Sequence, residues 1–415
     1  VNDGKATNNG DILVNAGKYT SGMKADGKNS TIENNGNVTI IGDGQTSNGM
    51  IAQNQGTVIN NDKGIVVASG KNTSAMYAKG KGTSADKESL VENRGKIELS
   101  NNATGMKLES NGVGKNSGTI KGNGTGVNLI GGIFVNSGEI DTTNTAIQSS
   151  TVTIKENGKD KVVGTNNTVY LKNGSKVNGK IVGNTGVDIL ALEGNNDGKT
   201  GEYSNLNVNN YEAITVRNGD ATISNATIGL GNHKDTDKYL SESNKKLDEI
   251  ENGSNKSNGT LTLNNSNLVI DMNGGTSSNG NGLLNGGNVK FDGDIGLGFT
   301  SKNGERNFDI DTGLDILGLN EDKKNELKGS LTNSAIWSYN DDKTIATKNY
   351  YRDVITTSYL TAFANKVDTN KLKDGDLKNY LTQLEFSKSA EQFTKFWRIT
   401  WIYCGYSSNQ FKKFS

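Results

Sequence analysis

The sequence predicts an all-β fold, a parallel β-helix or β-solenoid, and three observations support this. One short phrase recurs six times in residues 1–148: an Asn- and Gly-rich corner, a β-rich stretch, a polar turn, and a small residue followed by Met or another aliphatic residue. The repeat advances by about 20 to 33 residues, within the range of solenoids and repeat arrays. The 415 residues include 54 Gly and no Pro, which suits long ladders of strands in which every N–H is paired.

Two series of positions advance together through this repeat. The Asn-rich corners are Asn8-Asn9-Gly10, Asn34-Asn35-Gly36, Asn60-Asn61-Asp62, Asn93-Arg94-Gly95, Asn116-Ser117-Gly118 and Asn136-Ser137-Gly138. The partner corners are Gly22-Met23, Gly49-Met50, Ala75-Met76, Gly105-Met106, Gly126-Val127 and Ala146-Ile147. Because stacked rungs place equivalent residues above one another, we predict an apolar Met ladder inside the coil and a hydrogen-bonded ladder of corner Asn side chains.

Each repeat also carries short β-branched stretches bounded by Asn, Gly, Asp or Ser, which are strand signals with turn residues between them. These stretches are Ile12-Leu13-Val14, Val38-Thr39-Ile40-Ile41, Ile65-Val66-Val67 and Ile97-Glu98-Leu99. Such strands are too short and too polar to fold alone, but in a coil each one pairs with its equivalents at about 4.8 Å. A disordered Asn/Gly-rich tract is the alternative, and it does not require aliphatic residues at fixed offsets from the corners.

Composition narrows the possible functions. The hydrophobic content of 32% and the aromatic content of 6% are low for a globular enzyme of this length and fit a solenoid with a thin core. Lys+Arg 45 and Asp+Glu 45 balance, so bulk charge does not indicate a nucleic-acid partner. One Cys and one His exclude a disulfide framework and a zinc site built from Cys and His. The chain begins at Val1 without an apolar signal segment, so we expect a fragment or a mature portion.

Residues 149–230 change rhythm and alternate as strands with one buried face do. Two runs stand out, Asp188-Ile189-Leu190-Ala191-Leu192-Glu193-Gly194 and Tyr211-Glu212-Ala213-Ile214-Thr215-Val216. They resemble the passenger of bacterial autotransporter adhesins, the type V secretion proteins, and the Asn- and Lys-rich style is similar to the large fusobacterial members. The resemblance implies a right-handed parallel β-helix and a place at the cell surface or outer membrane of a Gram-negative bacterium, or secretion from it. It also implies attachment through a C-terminal membrane barrel that this sequence does not include.

The pattern divides the chain into four parts. Residues 1–284 are predicted rungs, and we expect a polar insertion at about 231–258 to form a short exposed helix or loop that projects from the coil. Residues 285–345, where aromatic residues become denser, are predicted to cap the open end; the resemblance implies an autochaperone role. Residues 346–397 have a helical period and predict a linker toward the barrel. Residues 398–415 differ in composition, and we expect an atypical, truncated or out-of-frame tail.

Few residues are candidates for chemistry. Asp309, Asp311 and Asp315 would share a face of an unbroken strand and could serve a glycan-active or calcium site, but Gly313 indicates a break and favours a solvated face. His233 is interpreted as an exposed loop residue because no serine-protease context accompanies it. Cys404 has no nearby partner that would make it a nucleophile. We therefore predict no catalytic, cofactor-binding or metal-binding residues and no cofactor.

The predicted function is that of a surface adhesin stalk rather than an enzyme. A stiff rod would present variable loops whose weak contacts with host or bacterial surface receptors, protein or glycan, add up by avidity. A β-helical glycan lyase or hydrolase is an alternative, and it requires an acidic groove on adjacent rungs. A second alternative is a purely structural secretion module that caps and threads the passenger. No nucleic acid is expected among the partners.

Overall fold

A computed structural model describes residues 1–43, 46–80, 88–195, 200–253, 258–273, 283–301, 305–333 and 337–349. Most of these residues lie in short parallel strands that stack rung upon rung, so the predicted parallel β-helix is confirmed. The predicted helical tail lies outside the described residues from Tyr350 onward. Residues Ile345–Lys348 form a strand, so the predicted linker cannot begin at 346.

The repeat region supplies the first fifteen strands. In chain order they are β1 (Lys5–Asn8), β2 (Asp11–Asn15), β3 (Ser21–Asp26), β4 (Thr31–Asn34), β5 (Asn37–Ile41), β6 (Ser47–Gln53), β7 (Thr57–Asn60), β8 (Ile65–Ser69), β9 (Thr73–Lys79), β10 (Leu90–Asn93), β11 (Lys96–Glu109), β12 (Val113–Asn116), β13 (Thr119–Ile130), β14 (Ile133–Asn136) and β15 (Glu139–Ser149). Each early rung therefore contributes three strands, and in β11, β13 and β15 the second and third merge into one long strand.

The second half continues the coil and adds two departures from it, an antiparallel hairpin and a helix. Its elements are β16 (Val152–Glu156), β17 (Lys159–Val163), β18 (Asn167–Leu171), β19 (Lys176–Val182), β20 (Asp188–Glu193), β21 (Gly201–Ser204), β22 (Asn207–Tyr211), β23 (Ala213–Arg217), β24 (Gly219–Ser224), β25 (Thr227–Leu230), α1 (Thr236–Ile250), β26 (Asn258–Asn264), β27 (Asn267–Asp271), a 3-10 turn (Asn285–Gly287), β28 (Val289–Asp292) and β29 (Gly296–Thr300).

Three parallel sheets form the walls of the coil. Sheet I has nine strands in the order β1-β4-β7-β10-β12-β14-β18-β20-β23. Sheet II follows β2-β5-β8-β11-β13-β15-β19-β22-β25-β27-β29, with β3, β6 and β9 leading into the second half of β11. Sheet III has the order β21-β24-β26-β28. Neighbouring strands in these three sheets come from successive rungs, so a strand pairs with the equivalent strands of the rungs before and after it.

The Met ladder is confirmed. Met23, Met50, Met76 and Met106 are aligned with one another in the parallel register, and Val127 follows Met106. The last three of the four steps, from Met50 to Val127, join fully buried side chains. However, these positions lie inside strands and are not corners as the sequence suggested. The preceding small residue has a packing reason, since a Cβ on Gly22 would lie 2.8 Å from the carbonyl oxygen of Gly49 in the next rung.

The Asn ladder is also confirmed, at the end of the first six strands of sheet I. Each side-chain amide donates to Oδ1 of the next Asn at 2.8 Å, and the series runs Asn8, Asn34, Asn60, Asn93, Asn116, Asn136. All six side chains also donate to a carbonyl oxygen of their own corner. The ladder ends where Leu171 replaces Asn in the register.

The described C-terminal region has a different architecture. Its elements are β30 (Asn307–Asp309), α2 (Ile310–Ile316), α3 (Glu321–Ser330), β31 (Trp337–Tyr339) and β32 (Ile345–Lys348), and the three strands form an antiparallel sheet in the order β30-β32-β31. Both β31 and β32 contact β29, the last strand of sheet II. The ring of Trp337 lies 6.0 Å from Phe299 of β29 and 5.8 Å from Phe308 of β30. The end of the apolar core is thus covered at the place where the sequence predicted a cap.

Candidate functional site

The outer face of sheet I carries a row of apolar side chains that helix α1 covers. In the parallel register this row contains Leu90, Val113, Ile133 and Ile189, with the polar Thr168 between the last two. Leu247 of α1 is fully buried in a cluster with Val113, Ile133 and other side chains of this face. A helix with one apolar stripe needs a surface to cover, and here that surface is the outside of the coil. The expectation that residues 231–258 project from the coil is therefore wrong.

Arg217, at the end of β23, anchors the middle of α1. Its side chain is 2% exposed, forms an ion pair with Asp248, and donates to Oδ1 of Asn244 at 2.9 Å. The guanidinium group also lies over the ring of Tyr170, 5.8 Å from its centre. A planar cation with several donors can satisfy an ion pair, an amide and an aromatic face at once. This contact could not be predicted from the sequence, because the partners of Arg217 are 27 and 31 residues away in the chain.

Two lysines of the coil hold the C-terminal end of α1. Lys115 donates to the carbonyl oxygen of Ile250 at 2.9 Å and pairs with Glu251 at 3.1 Å, while Lys172 pairs with Glu251 at 2.8 Å. Burial acts to raise the pKa of Glu251, but the hydrogen bonds from Lys172 and Lys115 outweigh it and lower that pKa. Cations at a helix C-terminus also complement the partial negative charge of its free carbonyl groups.

A groove of about 940 Å³ runs between α1 and the coil. Its floor is the apolar row of sheet I, and its far wall is formed by the corners at Ser110-Asn111, Gly131-Gly132 and Asn166-Asn167. The hydroxyl groups of Thr168 and Ser243 are hydrogen-bonded at 2.9 Å, and Lys246 donates to Oδ1 of Asn111 at 2.7 Å. These two contacts link the helix to both the floor and the far wall.

The element that stands clear of the coil is the hairpin β16–β17. Among the described strands, these two pair only with each other, and residues 153–162 are all exposed. Asn157 and Gly158 have φ values of 52° and 77°, as a two-residue type I′ turn requires. The Asn-Gly dipeptide between two β-rich runs is a hairpin signal, and the sequence reasoning missed it.

A second polar stack lies at the N-terminal ends of strands in sheet I, whereas the Asn ladder lies at the C-terminal ends. The side chain of Asn167 donates to Oδ1 of Asp188 at 2.7 Å, and the backbone N–H of Asp188 donates to Oε2 of Glu212 at 2.6 Å. Asn184 contributes a backbone N–H to Oδ2 of Asp188, also at 2.6 Å. Asp188 is fully buried and Glu212 is 3% exposed. This stack thus places two carboxyl groups on adjacent rungs inside the wall of the coil.

Burial dominates the electrostatics of these two carboxyl groups. It raises the pKa of Asp188 to about 6, against the opposing effect of hydrogen bonds from Asn184 and Asn167. Burial, and then the charge of Asp188, raise the pKa of Glu212 to about 9. A catalytic pair must reach a substrate, whereas the pair of Asp188 and Glu212 has almost no exposed surface. The acidic groove that a glycan-active β-helix requires is therefore not formed by these two residues.

The three aspartates that the sequence suggested as a catalytic or calcium site do not form one site. Asp309 ends β30 and caps α2, accepting a hydrogen bond from the backbone of Thr312. The chain leaves the strand at this point, so the three aspartates do not share a strand face. Asp311 is half-buried and Asp315 is exposed, and they pair with Lys328 and Lys324 of α3, at 2.5 and 2.6 Å, as expected of a solvated face.

The remaining candidates add no chemistry among the described residues. His233 lies in the loop before α1, where its Nδ1 accepts from the backbone of Asp235, but its side chain is 33% exposed and thus less open than expected. Cys404 lies outside the described residues. Within the described ranges, no three His, Cys, Asp or Glu side chains are grouped as a metal site would need. None of the helices in this part of the chain has the length and apolar character needed to cross a bilayer.

Comparison of the chain with family models, with curated proteins and with solved structures gives no match. The resemblance to autotransporter passengers therefore stays a prediction that rests on the two runs within residues 188–216.

Proposed function

We propose that the chain is a non-catalytic adhesin stalk in which a stiff parallel coil holds a contact element away from the surface that carries it. The observation that carries the proposal is the exposed hairpin β16–β17. On one face Ile154 is 42% exposed beside the ion pair Lys161–Glu156, and on the other face Val162 is 65% exposed beside the ion pair Lys155–Asp160. An exposed aliphatic side chain flanked by charged groups on each face allows either face of the hairpin to make a small protein contact.

The coil would supply stiffness. Its buried Asn ladder and its Met ladder run in register through the same rungs, so bending the rod would disturb hydrogen bonds and core packing together. At about 4.8 Å per rung, a stack of a dozen rungs is roughly 60 Å long. Many copies of such a rod on one cell would turn weak contacts into firm attachment by avidity.

The expected partners are protein or glycan receptors on host or bacterial surfaces. The location in this proposal is the outer surface of a Gram-negative bacterium, following the resemblance of residues 188–216 to autotransporter passengers. In this proposal the antiparallel C-terminal sheet assists folding during secretion by closing the end of the core.

The test is binding of the full chain to cultured epithelial cells and to bacterial cells, with a variant that changes only the hairpin surface. Ile154→Ser combined with Val162→Ser should reduce saturable binding at least about tenfold, since both faces of the hairpin lose their exposed aliphatic side chain. Because both side chains are largely exposed, thermal unfolding should remain as in the native chain.

Leu13→Ser is the matched control, because Leu13 is 66% exposed on the outer face of sheet II. Its binding should equal that of the native chain. Equal binding by the hairpin variant would remove the hairpin as the contact element, and weaker binding by the Leu13 variant would point to the coil face instead.

A further inference from the structure

The buried carboxyl pair lies directly beneath the first turns of α1. Ile189 follows Asp188, and Ala213 follows Glu212; together with Val187 these residues form an outward cluster against which Tyr239 and Leu240 of α1 pack. Since side chains alternate across a strand, one short segment of wall presents carboxyl groups on its inner side and the helix-binding surface on its outer side.

We propose that Asp188 and Glu212 form a proton-operated latch for helix α1. While the pair holds its protons, the wall segment stays packed and α1 stays docked. When the pair becomes fully ionised, two like charges on adjacent rungs within a dry wall push the rungs apart, and α1 is released from the groove. Release would uncover the apolar row of sheet I that α1 now covers.

The chemistry of the stack supports a titrating role. In the first six rungs the buried polar ladder is built of Asn side chains, which stay neutral at every pH. At this corner the stack changes from Asn167 to Asp188 and Glu212. Amides could make a neutral stack equally well, so what the two carboxyl groups add is the ability to lose a proton.

The surroundings supply hydrogen-bond donors to Asp188 but little to offset two negative charges. Asp188 accepts from Asn184 and Asn167, while the charge of Asp271 further raises the pKa of Glu212. The titratable or charged groups that face this segment are Tyr211 and Asp271 on the coil side and Tyr239, Glu242 and Lys246 of α1 on the groove side.

The direction of the pH effect follows from the raised pKa values. An ordinary carboxyl group titrates near about pH 4. The stabilisation that the protonated pair provides is fully present below that pH. It is lost as the pH rises through about 6 for Asp188 and about 9 for Glu212. Docking of α1 should therefore be firm in mild acid and weak in alkali.

The test is hydrogen exchange of the full chain at about pH 5 and about pH 9, corrected for the intrinsic pH dependence of exchange. Amide protection in Thr236–Ile250 should fall by about tenfold or more at the higher pH. Helix α3, Glu321–Ser330, is the internal reference and should keep its protection. Equal protection of α1 at both pH values would overturn the proposal.

Two variants assign the effect to the pair. Glu212→Gln keeps the shape of the protonated side chain and should reduce the pH-dependent loss of protection in α1 to less than about threefold. Asp188→Asn removes the charge that raises the pKa of Glu212 and should shift the loss to lower pH, and it serves if the first variant does not fold. Asp141→Asn, at an exposed carboxyl of sheet II, should behave as the native chain. Unchanged loss in both pair variants would contradict the latch.

Discussion

The side-chain amide of Asn60 donates a hydrogen bond to Oδ1 of Asn93 at 2.8 Å, although the two residues are 33 positions apart in the chain. The same contact recurs along the first six rungs, and Asn60 accepts in turn from Asn34. A side chain that both donates and accepts within a buried row fixes the register of two rungs at once. This relationship accounts for the recurrence of Asn at one corner of the repeat.

Asn60→Ala should lower the free energy of unfolding by roughly 2–4 kcal/mol. The substitution leaves the amide of Asn34 and Oδ1 of Asn93 without their ladder partner in a buried place. Asn61→Ala is the matched control, because Asn61 makes the same kind of bond to Asn35 in an exposed row. Its loss should be below about 1 kcal/mol. Chemical denaturation gives both values, and equal losses would contradict a special role for the buried row.

Met76→Ala should open a cavity between Met50 and Met106, with which it is aligned in the adjacent rungs. A fully buried Met that becomes Ala costs roughly 2–5 kcal/mol, because the neighbours relax only in part. Met76→Leu nearly conserves volume and should cost less than about 1.5 kcal/mol. Denaturant midpoints compare the two variants, and a tolerated Ala would show that the ladder is loosely packed.

Asp248→Ala should destabilise the docking of α1 more than Arg217→Met does. Removing Asp248 leaves a guanidinium that is 2% exposed without its carboxylate, which costs about 3–5 kcal/mol for buried pairs. Arg217→Met removes the buried charge and leaves an apolar side chain against Tyr170. Hydrogen exchange of α1 should therefore rise more in the Asp248 variant. The reverse order would mean that the ion pair is not what holds the helix.

Trp337→Asp should lower the thermal unfolding temperature of the full chain, because it buries a carboxylate between the rings of Phe299 and Phe308. Tyr339→Phe is the milder comparison. It removes only the hydroxyl that donates to the carbonyl oxygen of Leu297 at 2.7 Å and accepts from its N–H, and should cost about 1–3 kcal/mol. An unchanged unfolding temperature for Trp337→Asp would show that the antiparallel sheet does not stabilise the end of the coil.

The coil could be predicted because its contacts join equivalent positions of a repeat. Once Asn34 and Asn60 are recognised as equivalent, stacking places them together, and the same holds for Met50 and Met76. The docking of α1 could not be predicted, since it depends on an apolar row that faces outward on sheet I and on Arg217, which belongs to no repeat.

Two further differences between the predicted and the observed structure have local causes. The Asn157-Gly158 turn is visible in the sequence, but the flanking strands are short and charged, so a hairpin outside the coil was not anticipated. The sequence pattern after Asp309 is compatible with a strand that continues, whereas in the structure the chain turns into α2. There, a Cβ on Gly313 would lie 2.1 Å from Phe299, and only glycine allows that approach.

The most direct test of the proposed function is binding of the full chain to a glycan array and to cultured cells, with release of reducing sugar assayed in the same wells. The adhesin account predicts saturable binding that is lost in the Ile154→Ser, Val162→Ser variant, with no sugar released. Release of sugar would contradict it and would favour a glycan-active enzyme, and the absence of binding to any surface would favour a passive secretion module.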